Sequence, residues 1–286
     1  MKTIIYSLIA ILIFGYVAVG FTNKSSTNNS ILIQATDKRI SSVALSQSAG
    51  IISDRLRDYS TEKFTISVIQ EKYQIQVILT DSWDVKTAEN LLIKKGEFAF
   101  YETYDHQRLT ELLHGENHLF SLFNDVDPNG SDTKIGCTTI AEVDRVNDYL
   151  NSLGLGRQCK FAWSQGTDDA KVCLFALRSD NEKGALLKGT DIENMRFAQD
   201  QASKDYYIDI KFKKAATALW SDATKRNIGK MIALVLDNNV IFYPRVNEAI
   251  ENGSCQISGN FTLDEVRYIT ALGNHGELPV NFEVIR

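Results

Sequence analysis

The run Met231-Ile232-Ala233-Leu234-Val235-Leu236 is almost entirely apolar, and Asp237-Asn238-Asn239 and then Val240-Ile241-Phe242-Tyr243 follow it. An apolar run of this length predicts a central strand that is buried on both faces. Because Asp and Asn tolerate a positive φ, the three residues after it predict a tight turn. The second run predicts a partner strand, which Pro244 ends because proline lacks a backbone N–H.

Further elements are predicted on both sides of this strand pair. Alternating apolar residues predict strands at 207–212, 255–258 and 279–285. Helices are predicted at 215–227 and from the capping residue Thr262 onward. The expected buried face of the first of these helices consists of Ala216, Leu219, Trp220 and Ala223. These elements together predict an α/β layer.

The segment from residue 31 to residue 101 has the element order β-α-β-β-α-β. Strands are predicted at 31–35, 64–68, 73–79 and 97–101, with helices at 42–59 and after the capping residue Asp84. The residues expected on the buried face of the first helix are Val43, Ile51, Ile52 and Leu56. This order is that of a ferredoxin-like unit, in which two helices cover one face of an antiparallel sheet.

The middle of the chain has a weaker pattern. Residues 106–128 predict loop and short helix, and residues 144–153 predict a helix. Strands are predicted at 159–163 and 171–177, joined by a turn at 166–169. Residues 191–198 predict either a short helix or an extended connection.

The N-terminus indicates export. Lys2 precedes an apolar run at residues 4–21, and a polar stretch follows. This pattern predicts that residues 1–22 are either an uncleaved single-pass anchor or a signal peptide cleaved near Ala18-Val19-Gly20. Both alternatives place the rest of the chain outside the cytoplasm, in the cell envelope.

Composition and charge argue against nucleic acid as a partner. The 286 residues include 31 basic and 36 acidic side chains, for a net charge of −5. A chain with this balance creates no general field that attracts nucleic acid. The local basic cluster at 211–230 is interpreted as a solvated helix face.

Four cysteines, Cys137, Cys159, Cys173 and Cys255, would lie in a compartment that permits disulfides. Their spacing forms no CxxC motif, so neither a zinc knuckle nor a thioredoxin-type centre is indicated. Cys159 and Cys173 flank the predicted hairpin and are the most plausible disulfide pair. Independent buried thiols are the alternative.

The sequence shows no constellation for catalysis or for metal or cofactor binding. His114 and His118 have the spacing of a helical zinc site, but Gly115 and Asn117 between them weaken a helix, and no third ligand is identifiable. We interpret this stretch as a polar loop. No nucleophile-elbow motif presents a serine. We therefore expect no catalytic residue, no metal and no cofactor.

Four sequence blocks, at 224–237, 243–244, 253–262 and 276–280, occur in a fixed order near the C-terminus. Their key residues are Asn227, Gly229, Asp237, Pro244, Gly259, Asn260, Phe261 and Pro279. In order and spacing these blocks resemble the first periplasmic domain of the protein-export factor SecD. Upstream residues are collinear with SecD and with SecD–SecF fusions. Structural roles are expected for these residues, such as a helix terminus at Asn227 and Gly229 and a turn at Asp237.

The resemblance implies an α+β fold with a ferredoxin-like base and a larger α/β head subdomain behind one N-terminal apolar helix. The implied divisions are a base at 31–105, a head insertion at 106–184, and a SecD-like head with a closing strand at 185–286. It further implies a non-enzymatic domain that faces the periplasm and is attached to the membrane through the N-terminal helix.

The partners implied by the resemblance are exported polypeptide or components of the Sec translocon, with no nucleic acid. SecD and SecF carry intramembrane charged residues, which the resemblance assigns to proton movement, whereas residues 4–21 contain no Asp, Glu, Lys, Arg or His. We therefore expect an accessory to Sec-dependent translocation that is not itself a proton-driven motor. The alternative is a stand-alone envelope binding or scaffold protein whose partner is unrelated to export.

Overall fold

The structure is a computed structural model, and it describes residues 29–115, 118–126, 133–156, 158–165, 171–179 and 184–285. Within these ranges the strands are β1 Asn29–Ala35, β2 Phe64–Ile69, β3 Gln74–Leu79, β4 Phe98–Glu102, β5 Lys134–Thr139, β6 Cys159–Gln165, β7 Lys171–Arg178, β8 Leu187–Lys188, β9 Ile192–Gln199, β10 Tyr206–Phe212, β11 Ile232–Leu236, β12 Asn239–Phe242, β13 Ser254–Phe261 and β14 Phe282–Ile285. The α-helices are α1 Ser42–Tyr59, α2 Val85–Ile93, α3 His106–Leu112, α4 Val143–Ser152, α5 Lys214–Arg226 and α6 Leu263–His275. The predicted mixture of helices and strands is thereby confirmed.

The first sheet, which we call the base sheet, has the antiparallel order β14-β1-β3-β2. Its buried face packs against α1 and α2. The prediction that residues 97–101 supply its fourth strand is wrong, since β14 fills that place and β4 joins another sheet. The physical reason is burial: all five residues of β4 are buried, which requires cover on both faces.

The second sheet, which we call the large sheet, has the order β5-β7-β6-β12-β11-β4-β8. The predicted central strand is confirmed as β11, in which every residue is buried. The predicted turn after it is also confirmed, with φ of 48° at Asp237 and 66° at Asn238. Strand β5 was not predicted, because Gly136 and three hydroxyl or thiol side chains interrupt its apolar pattern.

The disulfide joins Cys137 of β5 to Cys173 of β7, so the predicted pair Cys159–Cys173 is wrong. Strand register explains the difference. Cys137 lies directly opposite Cys173, whereas Cys159 lies opposite Arg178 at the far end of the β6–β7 hairpin. Cys159 and Cys255 are free thiols.

The third sheet, which we call the small sheet, has the antiparallel order β13-β10-β9. Of the two alternatives for residues 191–198, the extended one is confirmed, because they form β9 after a single 3-10 turn. Helix α6 begins as predicted at Thr262, whose side chain accepts a hydrogen bond from the Glu265 N–H.

Two side chains predicted to be buried are exposed: Val43 by 73% and Leu219 by 37%. In α1 the buried residues Leu45, Ile52 and Leu56 follow helical spacing and leave Val43 on the opposite side. Leu219 lies one residue, and therefore about 100°, from the buried Trp220.

The predicted apolar helix at residues 4–21 and the predicted turn at 166–169 lie outside the described residues. Among the helices in the described part of the chain, none combines the length and the apolar character needed to cross a membrane.

Candidate functional site

A cleft of about 350 Å³ separates the large sheet from the free edge of the small sheet. Its apolar wall is formed mainly by Phe100, Trp220, Ile232, Leu234, Val246 and Ile257. The segment from Pro244 to Ile250 forms the rim, and β13 supplies Cys255 and Gln256 beside the opening. A concave apolar surface with a few polar groups at its margin is the common form of a binding site.

Strand β13 presents unpaired backbone groups next to this cleft. Phe212 N–H donates to Gly253 C=O at 2.9 Å, which identifies the residue pairs of β10 and β13 that exchange hydrogen bonds. Because these pairs alternate along an antiparallel ladder, the N–H and C=O of Gln256 and Ser258 point away from β10. Within the described residues, β10 is the one strand that pairs with β13.

Both ends of this free edge are closed. At one end, Trp220 Nε1 donates to Ser254 C=O at 3.2 Å, and Ser254 N–H donates to Asn252 Oδ1 at 3.1 Å. At the other end, the register of β13 on β10 shifts after Ser258, and this bulge changes the direction of the strand and so interrupts the regular edge. The open stretch is therefore short: Gln256 lines the cleft, and Ser258 lines a neighbouring polar hollow.

The opposite edge of the small sheet is covered. Asn274 at the end of α6 accepts from Met195 N–H at 2.7 Å and donates to Met195 C=O at 3.0 Å, as a neighbouring strand would. The close approach needs Gly273, since a Cβ there would lie 2.3 Å from Met195 Sδ. The small sheet thus has one covered edge and one open edge, and uncovered edges are what natural sheets avoid.

The rim segment is held by the end of α5. Val246 C=O accepts from Gly229 N–H at 2.8 Å, and Val246 N–H donates to Lys230 C=O at 2.8 Å. Further along, Ile250 N–H donates to Thr224 Oγ1 at 2.9 Å. The position of the rim therefore depends on how α5 ends.

Glu102 of β4 positions the end of α5. Its carboxylate accepts from Asn227 Nδ2 at 2.8 Å and from Arg226 Nε at 2.6 Å, and it pairs with Arg178 at 3.2 Å. Burial acts to raise the pKa of Glu102, but the hydrogen bonds from Asn227 and Arg226 and the two arginine charges outweigh it, so the pKa lies below its usual value. Glu102 remains a carboxylate at neutral pH.

We expect Glu102→Gln to lower the free energy of unfolding by about 1–2 kcal/mol at pH 7, since charged hydrogen bonds to half-exposed arginines are weakened by solvent. Because the folded-state pKa is lowered, this contribution is present above the ordinary carboxylate pKa and is lost as pH falls through the folded-state pKa. Urea unfolding of parent and variant between pH 7 and pH 3 measures it. Glu193→Gln, at an exposed pair with Lys211, is the matched control. An equal loss in both variants would contradict the special role of Glu102.

Among the residues of the SecD-like blocks, Pro244 lines the cleft. Asn227 ends α5 and Gly229 bonds to the rim at Val246, whereas Gly259 lies in a neighbouring hollow and Phe261 packs on Phe242. Asn260 lies at the bulge, in a polar hollow beyond the open edge. Asp237 lies elsewhere, in the turn between β11 and β12, where Oδ1 accepts from Glu97 N–H at 2.8 Å. Pro279 is exposed on the connection from α6 to β14. Sequence reasoning missed Glu102, whose signal was a carboxylate that ends an otherwise apolar strand.

The cleft offers binding rather than reactive groups. Burial raises the pKa of Cys255 to about 12, so its thiol stays protonated at neutral pH. In the described ranges no three His, Cys, Asp or Glu side chains cluster in a way that could hold a metal ion. His118 contacts Ser121 and Tyr149.

Comparisons with known proteins connect this fold with one family of export proteins. Residues 177–280 match the family described as SecDF, P1 head subdomain. The protein translocase subunit SecD of Mycobacterium tuberculosis is 33% identical over an alignment of 149 residues that covers 48% of this chain and 26% of that protein. The chain spans about a quarter of the length of the SecD proteins it matches.

Two solved structures share the fold. A crystal structure of SecDF in a super-membrane-facing form has a TM-score of 0.56 at 18% identity and covers 91% of this chain and 30% of that one. A structure of a membrane component SecDF that enhances protein export has a TM-score of 0.54 at 18% identity and covers 90% of this chain and 98% of that one. The expected resemblance to the periplasmic P1 domain of SecD is thereby confirmed.

Proposed function

We propose that this protein is a non-enzymatic, SecD-like domain of the cell envelope that assists protein translocation by binding extended polypeptide along β13. The observation that carries the proposal is the open edge at Gln256 and Ser258 beside the apolar cleft. The similarity to SecD, a translocase subunit, supports the connection with export.

Binding would occur by strand addition. An incoming extended segment pairs through its backbone with the outward N–H and C=O groups of Gln256 and Ser258. Backbone groups are present in nearly every sequence, so this pairing does not depend on the side chains of the segment. A side chain of that segment that points toward the cleft would bury apolar surface against Trp220 and Ile257. So few contacts give low affinity, which suits an exported polypeptide that must dissociate again.

The proposed organisation starts from the expected base at 31–105, head insertion at 106–184 and head at 185–286. It differs from that division in two strands, because β4 belongs to the large sheet and β14 returns to the base sheet. Residues 1–22 would attach the chain to the membrane or direct its export, so that the cleft faces the periplasm. The domain contributes binding and is not a proton-driven motor.

In vivo photo-crosslinking tests the proposal. A photoreactive amino acid at Gln256 is compared with one at Arg196, which lies in the same cross-strand row but at the covered edge. We expect adducts with exported polypeptide from Gln256 in clear excess over Arg196.

Two outcomes would contradict the proposal. Adducts from Gln256 with Sec channel subunits or SecD–SecF alone would mean that the edge binds the machinery and not its substrate. Adducts with neither, from abundant protein, would favour an envelope scaffold unrelated to export.

A further inference from the structure

Arg55 of α1 is completely buried, and its guanidinium binds backbone carbonyls. One terminal nitrogen donates to Lys94 C=O at 2.7 Å and to Leu91 C=O at 3.4 Å. The other donates to Lys95 C=O at 2.8 Å and to Gly276 C=O at 2.6 Å. Binding of these four carbonyl oxygens requires the planar guanidinium of arginine, which donates from two separate terminal nitrogens, whereas the ammonium of lysine donates from one nitrogen.

These carbonyls lie on or next to both chain connections between the base sheet and the rest of the molecule. Residues 94–97 lead from α2 to β4 of the large sheet, and residues 276–281 lead from α6 back to β14. The two connections are also bonded to each other, because Leu278 N–H donates to Lys95 C=O at 2.8 Å.

Asp237 adds the large sheet to the same junction. Its N–H donates to Glu97 C=O at 3.0 Å, and its Oδ1 accepts from Glu97 N–H at 2.8 Å. This gives Asp237, one of the residues shared with the SecD pattern, a place at the junction and not at the cleft.

The junction is shaped around the guanidinium. A Cβ at Gly96 would lie 2.3 Å from the nearer Arg55 nitrogen, and the φ of Gly96 is +79°, where glycine is favoured. Burial lowers the pKa of Arg55 to about 10, while the charge of Asp237 acts to raise it, so the side chain is still a cation at neutral pH. A buried cation that lost these acceptors would be left uncompensated, which is strongly unfavourable.

We propose that Arg55 is a latch that holds both connections together and thereby fixes the base sheet relative to the large and small sheets. The packing of α1 on α6 and the pair between Asp58 and His275 support the same arrangement from outside. This inference does not depend on polypeptide binding at β13.

Hydrogen exchange of the full chain, followed by mass spectrometry, tests the latch. In Arg55→Met we expect three amides at the junction, those of Glu97, Asp237 and Leu278, to exchange at least about tenfold faster, which is the factor for loss of one hydrogen bond to a charged group. We call these three the connection amides. Amides of β3 and β10, inside the sheets on either side, should keep their parent rates. Arg57→Met, which removes an exposed arginine of the same helix, should change neither set.

Arg55→Lys keeps the positive charge but removes the guanidinium group, and it replaces the methionine variant in this test if that variant does not fold. It should accelerate the same connection amides selectively. Uniform acceleration throughout the chain would show that Arg55 only adds global stability, and unchanged connection amides in a folded variant would show that it holds nothing together. Either result overturns the latch.

Discussion

Ser258→Pro should reduce polypeptide capture at β13 by about tenfold or more while leaving the fold intact. Proline removes an N–H that points away from β10, so no ladder bond within the small sheet is lost. The incoming segment loses one of its few backbone partners and meets the proline ring at the edge. Crosslinking yield from Gln256, with and without the substitution, measures the effect.

Ser258→Ala is the matched control, since it removes the hydroxyl but keeps the backbone donor. It should bind as the parent does, because strand addition depends on the backbone. Equal losses in both variants would indicate recognition of the serine side chain. Undiminished capture by a folded proline variant would exclude strand addition at this edge.

Removal of the disulfide should have the largest effect on stability. Cys137 and Cys173 are separated by 36 residues, and the chain-entropy argument gives about 4 kcal/mol for a loop of this length. We expect the double variant Cys137→Ser and Cys173→Ser to melt on the order of 10 °C lower. Differential scanning calorimetry of the exported protein measures the change.

Cys159→Ser is the control for that experiment, because Cys159 is a free thiol and has no bond to lose. Its effect should be smaller and unchanged by reducing agent. Thiol counting in denaturant, without reductant, should find two free cysteines in the parent, which are Cys159 and Cys255. Four free thiols, or a melting temperature insensitive to reductant, would contradict the Cys137–Cys173 bond.

Local elements were predictable because their determinants lie within a few residues. The bounds of α1, the buried strand β11 and the cap of α6 follow from spacing, apolar content and Thr262. Pairing between distant segments was not predictable in the same way. The base sheet takes its fourth strand from the end of the chain, a choice made by burial on both faces of β4.

The cleft depends on relations that a single sequence does not display. The outward direction of Gln256 and Ser258 follows from ladder register, and the cover on β9 follows from one side chain of α6. Strand β5 is similar, since Gly136 packs so closely on the Phe123 ring that a Cβ would lie 2.4 Å away. Sequence patterns identified the residues of the SecD-like blocks but not which of them lie at the cleft.

The covered edge of β9 has a consequence for valency. With Asn274 occupying the outward N–H and C=O of Met195, the edge of the small sheet at β9 is blocked at that residue. A sheet that is open on both sides could bridge two chains and grow, as stacked strands do in fibrils. With a segment added to β13 as proposed, Asn274 stands in the way of a second segment at Met195 and thereby opposes polymerisation through this sheet.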